Sequence, residues 1–299
     1  MRNKYCRIKI RTSVPPYQQL DSGNCRKLEQ VGPYRIIRPA LNAFWKPTLP
    51  QKEWDRADAV FSRESSGGGV WNWKKRPPKE GSEDWIVSWG GVNLMIKPTH
   101  FGHLGFFAEQ AGNWERLRRC VAAMKIEQPR TLNLFAYSGG ATIAMAQAGA
   151  DVCHLDASKG IIDWAKKNQA LNPETENRIR WICDDAMKFV SREQRRNSKY
   201  NGIVLDPPSF GRGAQGQVWK IEDGLAGILD NCRKILDLSQ PYFILLSCHS
   251  QGFSAASLGR CLADVFPDAK DSIESGEMLI PESNGNVQPA GLYAGVFNA

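Results

Sequence analysis

Four polar groups stand where apolar runs break off, and their types and order suggest one ligand. The run Thr131–Phe135 gives way to Ala136-Tyr-Ser-Gly-Gly140, a turn whose glycines let backbone approach a ligand at the start of a helix. Val152–Leu155 ends at Asp156, 17 residues beyond Gly139, where a carboxylate can accept from both hydroxyls of a ribose. Ile179–Ile182 leads into Asp184-Asp185-Ala186, placed to meet an exocyclic amine of an adenine. Ile203–Leu205 ends at Asp206-Pro-Pro-Ser-Phe210, where two prolines fix an extended turn. Singly, each has a structural explanation as a tight turn or a helix cap. Together, on successive units, they describe a site for a ligand with a ribose and a base.

The elements that must position these groups alternate strand and helix. Helices are expected at 114–125, 141–148, 159–170, 186–195 and 222–236, and strands at 131–135, 152–155, 179–182, 203–205 and 242–246. Short connections between them predict an α/β fold, a doubly wound and mostly parallel sheet, with ligands beyond the carboxyl ends of the strands. Upstream, 85–89 and 92–96 read as two strands joined by Gly90-Gly91. Residues 61–82 carry Ser65-Ser-Gly-Gly-Gly69 and Pro77-Pro78 and read as a hairpin or linker. The first 60 residues are broken by prolines and suit short strands, such as 34–38, better than long helices.

In this order, Asn133-Leu-Phe-Ala-Tyr-Ser-Gly-Gly140, Asp156, Asp184-Asp185-Ala186 and Asp206-Pro-Pro-Ser-Phe210 resemble the class I S-adenosylmethionine-dependent methyltransferases. More narrowly, the chain is similar to bacterial large-subunit ribosomal RNA methyltransferases, including those that methylate carbon 5 of cytosine. Gly105-Phe-Phe-Ala-Glu-Gln110 resembles that group's cofactor-covering segment, and Gly291-Leu-Tyr-Ala-Gly-Val-Phe297 its last strand. The resemblance implies a seven-stranded Rossmann-like methyltransferase fold over 85–299, with a smaller β-rich and basic domain at 1–84.

Position by position, the resemblance implies that Phe135, Ala136, Tyr137 and Gly139 approach the methionine part of S-adenosylmethionine. Gln110 would lie near its carboxylate or ribose. Asp156 would hold the ribose and Asp185 the adenine amine, with Asp184 beside them. Asp206, Pro207 and Pro208 would face a target base, and Phe210 would stack on it or wall the pocket. Ser247-Cys248-His249-Ser250 resembles the Ser-Cys-Ser motif whose thiol attacks cytosine, but has His249 in place of the second Ser. Under this reading Cys248 adds to the ring carbon beside the acceptor, a form of covalent catalysis, and Asp206 stabilises the adduct. His249 would lower the thiol pKa if it pointed inward. The structural alternative makes Cys248 a small buried residue and moves the acceptor to an amine or ring nitrogen, which needs no thiol.

Charge points to the same acceptor class. The 299 residues carry a net charge of +8, and the first 100 alone hold 18 Lys and Arg against 9 Asp and Glu. Six of the ten tryptophans lie in that stretch, and Trp71-Asn72-Trp73-Lys74-Lys75-Arg76 places indoles beside cations. Cations attract phosphates and indoles stack on exposed bases, so Trp73, Lys74, Lys75 and Arg76 are expected to bind RNA. The alternative is a solvated basic face with its tryptophans in a small β core.

Other classes fit less well. A nicotinamide dehydrogenase would share Asp156, but Gly139-Gly140 is followed by Ala-Thr-Ile-Ala rather than completing a G-x-G-x-x-G, and Asp206-Pro-Pro would be unexplained. A non-catalytic RNA-binding protein on the same fold would not need Asp156, Asp185 and Asp206 together. No run of about 18 apolar residues suggests a membrane span. The basic start lacks an apolar stretch of the secretory kind, so a cytoplasmic protein is expected. The eight cysteines contain no C-x-x-C pair and are read as thiols, and His100 and His103 lack a third ligand, so no metal is expected. A monomer or homodimer is expected.

Overall fold

A computed structural model describes residues 14–64, 67–75, 85–212, 218–250 and 252–298. The chain packs as two compact units. The first comprises 1–108 with 167–173 and 280–288, and the second comprises 109–166, 174–279 and 289–299.

In the first unit, β1 (Tyr17–Gly23), β2 (Arg26–Val31), β3 (Tyr34–Pro39), β4 (Ala59–Arg63) and β5 (Gly69–Trp73) form one sheet in that order. The short helix α1 (Gln51–Trp54) interrupts the run, and β3 and β4 pair in parallel while the other pairs are antiparallel. The hairpin β6 (Ile86–Trp89) and β7 (Val92–Met95) belongs to this unit by packing.

Polar residues are buried here in number. Glu29 is fully buried, takes two bonds from Arg38 at 2.6 and 2.7 Å, and accepts from the Tyr17 hydroxyl at 2.8 Å. Burial works to raise its pKa. Arg38 and Lys27 outweigh that and hold it down at about 2. Gln19, also buried, donates to Gln288 at 2.7 Å, so residues 280–288 complete this unit.

The second unit is the doubly wound sheet. Its strands are β8 (Arg130–Leu134), β9 (Asp151–Asp156), β10 (Ile179–Cys183), β11 (Gly202–Leu205), β14 (Tyr242–Cys248), β15 (Ile273–Pro281) and β16 (Val287–Asn298), in the order β10-β9-β8-β11-β14-β16-β15. The first five are parallel and β16 runs antiparallel to β14. The expected seven-stranded, mostly parallel fold is therefore present. Strands β11 and β14 are buried along their whole length, and apolar but for Ser247 near the end of β14, because helices cover both faces. On one face α5 (Ala186–Arg195), α6 (Ile221–Ile235) and α7 (Ala255–Val265) close over Leu132, Ile203, Ile244 and Leu246. On the other, α2 (Ala111–Ala123) and α3 (Gly140–Gln147) close over Val152, Val204, Phe243 and Leu245. The remaining long helix, α4 (Lys159–Ala170), follows β9. A small hairpin, β12 (Phe210–Arg212) and β13 (Val218–Lys220), stands after β11. Among the described residues, no helix is long and apolar enough to cross a membrane.

Candidate functional site

The turn after β8 is an unusual piece of backbone. Phe135, Tyr137 and Gly139 have φ of 56°, 49° and 92°, so every second residue is left-handed. Non-glycine residues enter that region at a cost of order 1–3 kcal/mol each, which surrounding bonds must offset. They do: Ala136 donates to the Leu155 carbonyl at 3.0 Å, Gly139 to the Ala136 carbonyl at 3.1 Å, and the Tyr137 N–H to Asp156 Oδ2 at 3.0 Å. Helix α3 then opens at Gly139 without a side-chain cap, leaving its first N–H groups for a ligand. Gly140 is required by packing, because a Cβ there would lie 2.3 Å from the Trp114 ring.

Beneath the turn runs a buried chain of bonds. Asn133 donates to the Thr142 hydroxyl at 2.8 Å, and that hydroxyl meets His154 Nδ1 at 2.9 Å. Burial lowers the His154 pKa to about 3, so the ring is neutral. This chain fixes β8, α3 and β9 against one another directly below the site.

Asp156, at the end of β9, also accepts from the Ser158 N–H, at 2.9 Å through Oδ1. Burial pushes its pKa above the usual carboxylate range, while these backbone N–H groups hold it back. Asp184 and Asp185 both have structural partners: Asp184 pairs with Arg192, and Asp185 caps α5 by accepting from the Lys188 N–H at 2.9 Å.

Asp206 follows β11 and faces a polar group of residues. Gln110 Nε2 donates to Asp206 Oδ2 at 3.1 Å and to Ser247 Oγ at 3.0 Å, and is itself held by Asn113, which donates to Gln110 Oε1 at 2.8 Å. Asp206 Oδ1 is buried and has no hydrogen-bond partner. His249 Nε2 lies 3.7 Å from that oxygen, and its Nδ1 lies 3.5 Å from Glu109 Oε1. Pro207 is buried and Pro208 exposed. The Pro208 carbonyl accepts from Trp219 Nε1 at 2.7 Å, and Trp219 packs on Phe135 with ring centroids 5.1 Å apart. Phe210 is largely exposed at the start of the β12–β13 hairpin.

Cys248 is placed differently from Asp206 and its neighbours. It is 1% exposed and belongs to the apolar cluster with Leu246, Leu258 and Ala294. Burial raises its thiol pKa; the Ser250 N–H, 3.4 Å from the sulfur, opposes this, and the charges of Asp206 and Glu222 add to the rise. The imidazole of His249 turns to the two carboxylates.

The sequence reading named Gln110, Phe135, Ala136, Tyr137, Gly139, Asp156, Asp184, Asp185, Asp206, Pro207 and Pro208, and all lie at or just beyond the carboxyl ends of the parallel strands or at the start of α2. It missed Glu109, Asn113, Ser247 and Trp219, and it misdirected His249. Strand alternation gives the signal for two of these, since residue 247 and, just past the end of β14, residue 249 alternate with residue 248.

Of the basic aromatic stretch, Trp73 stacks on Trp71 with centroids 5.9 Å apart and meets Tyr34 edge-on. Lys74 donates to the Asp55 carbonyl at 2.9 Å, and the Lys75 ammonium lies 5.3 Å from the centre of the Tyr34 ring. Trp73 is thus part of an aromatic cluster in the first unit, with both lysines exposed around it. Arg76 lies outside the described residues.

Comparisons with known proteins agree with this fold. A solved S-adenosylmethionine-dependent methyltransferase from Agrobacterium tumefaciens superposes with a TM-score of 0.87 at 38% identity, over 97% of this chain and 92% of that one. Ribosomal RNA large subunit methyltransferase I from Aeromonas hydrophila is 28% identical over 216 residues, covering 68% of this chain and 50% of that protein. Its counterpart from Aeromonas salmonicida is 26% identical over 224 residues, covering 71% and 52%. The chain thus spans about half the length of these curated relatives. Residues 80–252 match the family model of S-adenosylmethionine-dependent methyltransferases, and the chain belongs to that family.

Proposed function

We propose that the chain methylates a base of RNA, with ribosomal RNA the first acceptor to test. The doubly wound second unit carries the transfer and the first unit supplies RNA contacts. The observation that carries this reading is Asp206. One of its oxygens is fixed by Gln110 while the other is buried without a hydrogen bond. A buried acceptor left unpaired costs about 1–3 kcal/mol, which a donor on the substrate would recover. The N–H or NH2 edge of a base is such a donor, and a base must leave its stack to reach it. Two relatives bear the name of a ribosomal RNA methyltransferase, and the positive charge of the first 100 residues suits a phosphate backbone.

When bound, S-adenosylmethionine supplies a methyl carbon carried on positively charged sulfur. The protein's part is to hold and orient. The left-handed turn at 135–139 offers backbone to the methionine end, Asp156 accepts from the ribose, Asp184 and Asp185 lie toward the adenine, and Gln110 keeps Asp206 turned to the acceptor. Pro207 and Pro208 make that last turn rigid, and Phe135 and Trp219 wall it. Phe210 stands ready to stack on the base, and Trp73, Lys74, Lys75 and Arg76 to meet RNA.

The acceptor atom is an amine or ring nitrogen, attacked directly. Cys248 sits in the apolar cluster with its thiol pKa raised, which disfavours the thiolate that covalent catalysis needs. A second reading, carbon 5 of cytosine through Cys248, is favoured by the Ser250 N–H at 3.4 Å from the sulfur. Incubation with methyl-labelled S-adenosylmethionine and ribosomal RNA from cells lacking the protein, followed by nucleoside analysis, decides between them. A nucleoside methylated on nitrogen is the expected result, and 5-methylcytidine would select the second reading. No label in RNA, with S-adenosylhomocysteine still bound, would reject RNA as the acceptor.

A further inference from the structure

We infer that Glu109, His249 and Asp206 form a row that removes the proton released by methyl transfer, with His249 as the positioning and proton-accepting partner of Asp206. The inference rests on Asp206 facing the acceptor. The chemistry requires an outlet for a proton. The acceptor's electron pair forms the new bond to the methyl carbon, the carbon–sulfur bond breaks with its pair remaining on sulfur, and a neutral acceptor is left with one proton to lose. This balance holds for an exocyclic amine and for a ring nitrogen that carries a proton.

The geometry supplies a route. Asp206 Oδ1 is buried and lacks a hydrogen bond, and His249 Nε2 stands 3.7 Å away, within ion-pair range. On the other side of the ring, Nδ1 lies 3.3 Å from the Ala290 carbonyl and 3.5 Å from Glu109 Oε1. An Nδ1 proton held by these two oxygens leaves the Nε2 lone pair directed at Asp206. The proton passes from the acceptor to Asp206 Oδ1 and on to Nε2, and the resulting imidazolium lies between two carboxylates. Carboxylates on both sides stabilise the charged ring. The ring is about a quarter exposed, so it can return the proton to solvent.

The slot for the ring is built. Gly291 on β16 lies under it, and a Cβ there would fall 2.9 Å from Nδ1 and 2.4 Å from Met278 Cε. Next to the ring lie Asp206 just after β11, Glu109 in the turn before α2, and Met278, Gly291 and the Ala290 carbonyl from β15 and β16. Contacts of this length shorten when substrate excludes water.

Two measurements on the full chain test the row, and one needs no substrate. The first follows the His249 ring by NMR against pH in the parent protein, D206N and E109Q. The titration midpoint should fall in both variants, because each removes a negative neighbour. The second compares the rate of RNA methylation against pH in the parent, H249Q and H249N. Loss of about a hundredfold in kcat and of the acidic limb is expected, as for removal of a general base, with S-adenosylhomocysteine affinity unchanged. A midpoint indifferent to both carboxylates, or a parental rate and pH profile in H249Q, overturns the inference. If the parent methylates no RNA, the function proposed above fails separately, and the NMR titration alone decides the row.

Discussion

Ser247 and Cys248 are neighbours in β14 whose side chains leave the sheet on opposite faces. The Ser247 hydroxyl accepts from Gln110 at 3.0 Å beside Asp206, whereas Cys248 is packed with Leu246 and Leu258 beneath α7. A strand that serves the site through one residue thus serves the core through the next. Cys248→Ala is therefore expected to keep S-adenosylhomocysteine affinity and at least a tenth of the methylation rate. It should lose about 1–2 kcal/mol of stability from the small cavity it leaves. Label transfer alongside a urea unfolding curve checks this, and abolished transfer in a folded variant would restore the thiol to catalysis.

Asp156 binds the turn after β8 and is proposed to accept from the ribose as well. Both its oxygens accept backbone N–H groups, from Tyr137 at 3.0 Å and from Ser158 at 2.9 Å. Asp156→Ala should release the left-handed turn and remove the ribose acceptor together. A loss of more than tenfold in S-adenosylhomocysteine affinity by calorimetry is expected, equivalent to over about 1.4 kcal/mol. An unchanged affinity would mean that the ribose lies elsewhere.

Gly140 allows no side chain. Its hypothetical Cβ falls 2.3 Å from the Trp114 ring, and Trp114 is 3% exposed, so the ring has nowhere to retreat. Gly140→Ala should destabilise the fold by about 1–3 kcal/mol through overpacking, even though alanine favours a helix. A lowered melting temperature tests the contact, and a raised one would show that Trp114 moves freely.

His154 gives stability an acidic slope. Its folded pKa is about 3 because of burial, well below the ordinary value of about 6.5 in an unfolded chain. Between those values the unfolded chain binds the extra proton, so stability falls as pH drops below about 6.5. The contribution is about 1 kcal/mol per pH unit between pH 6 and 4. Urea unfolding at pH 7, 6 and 5 should show a steeper decline in the parent than in His154→Gln, and equal slopes would place the charge change elsewhere.

The second unit was legible from the sequence because its strands are apolar runs closed by recognisable residues. Helices at 159–170 and 186–195 fall where their spacing puts them, and Asp156 and Asp206 end strands as expected. The first unit was not, because β1 and β2 carry Gln19, Asp21, Ser22 and Glu29 at fully buried positions. Their pattern reads as surface, and some of their partners, such as Gln288 for the Gln19 amide, lie more than 250 residues away. The row of Glu109, Asp206 and His249 escaped for the same reason. Its members come from three distant segments, and only folding makes them neighbours.

The first unit also has a consequence for how the protein comes into being. Because the Gln19 amide donates to Gln288 and the Ser22 hydroxyl to Glu282, these buried groups of β1 lack those partners until residues 282–288 have left the ribosome. The doubly wound sheet, built mainly of pairings between nearby segments, can gather earlier. The sheet that begins at β1 emerges before the doubly wound sheet but is completed after most of it, so its buried polar groups wait for partners while the intervening residues are made.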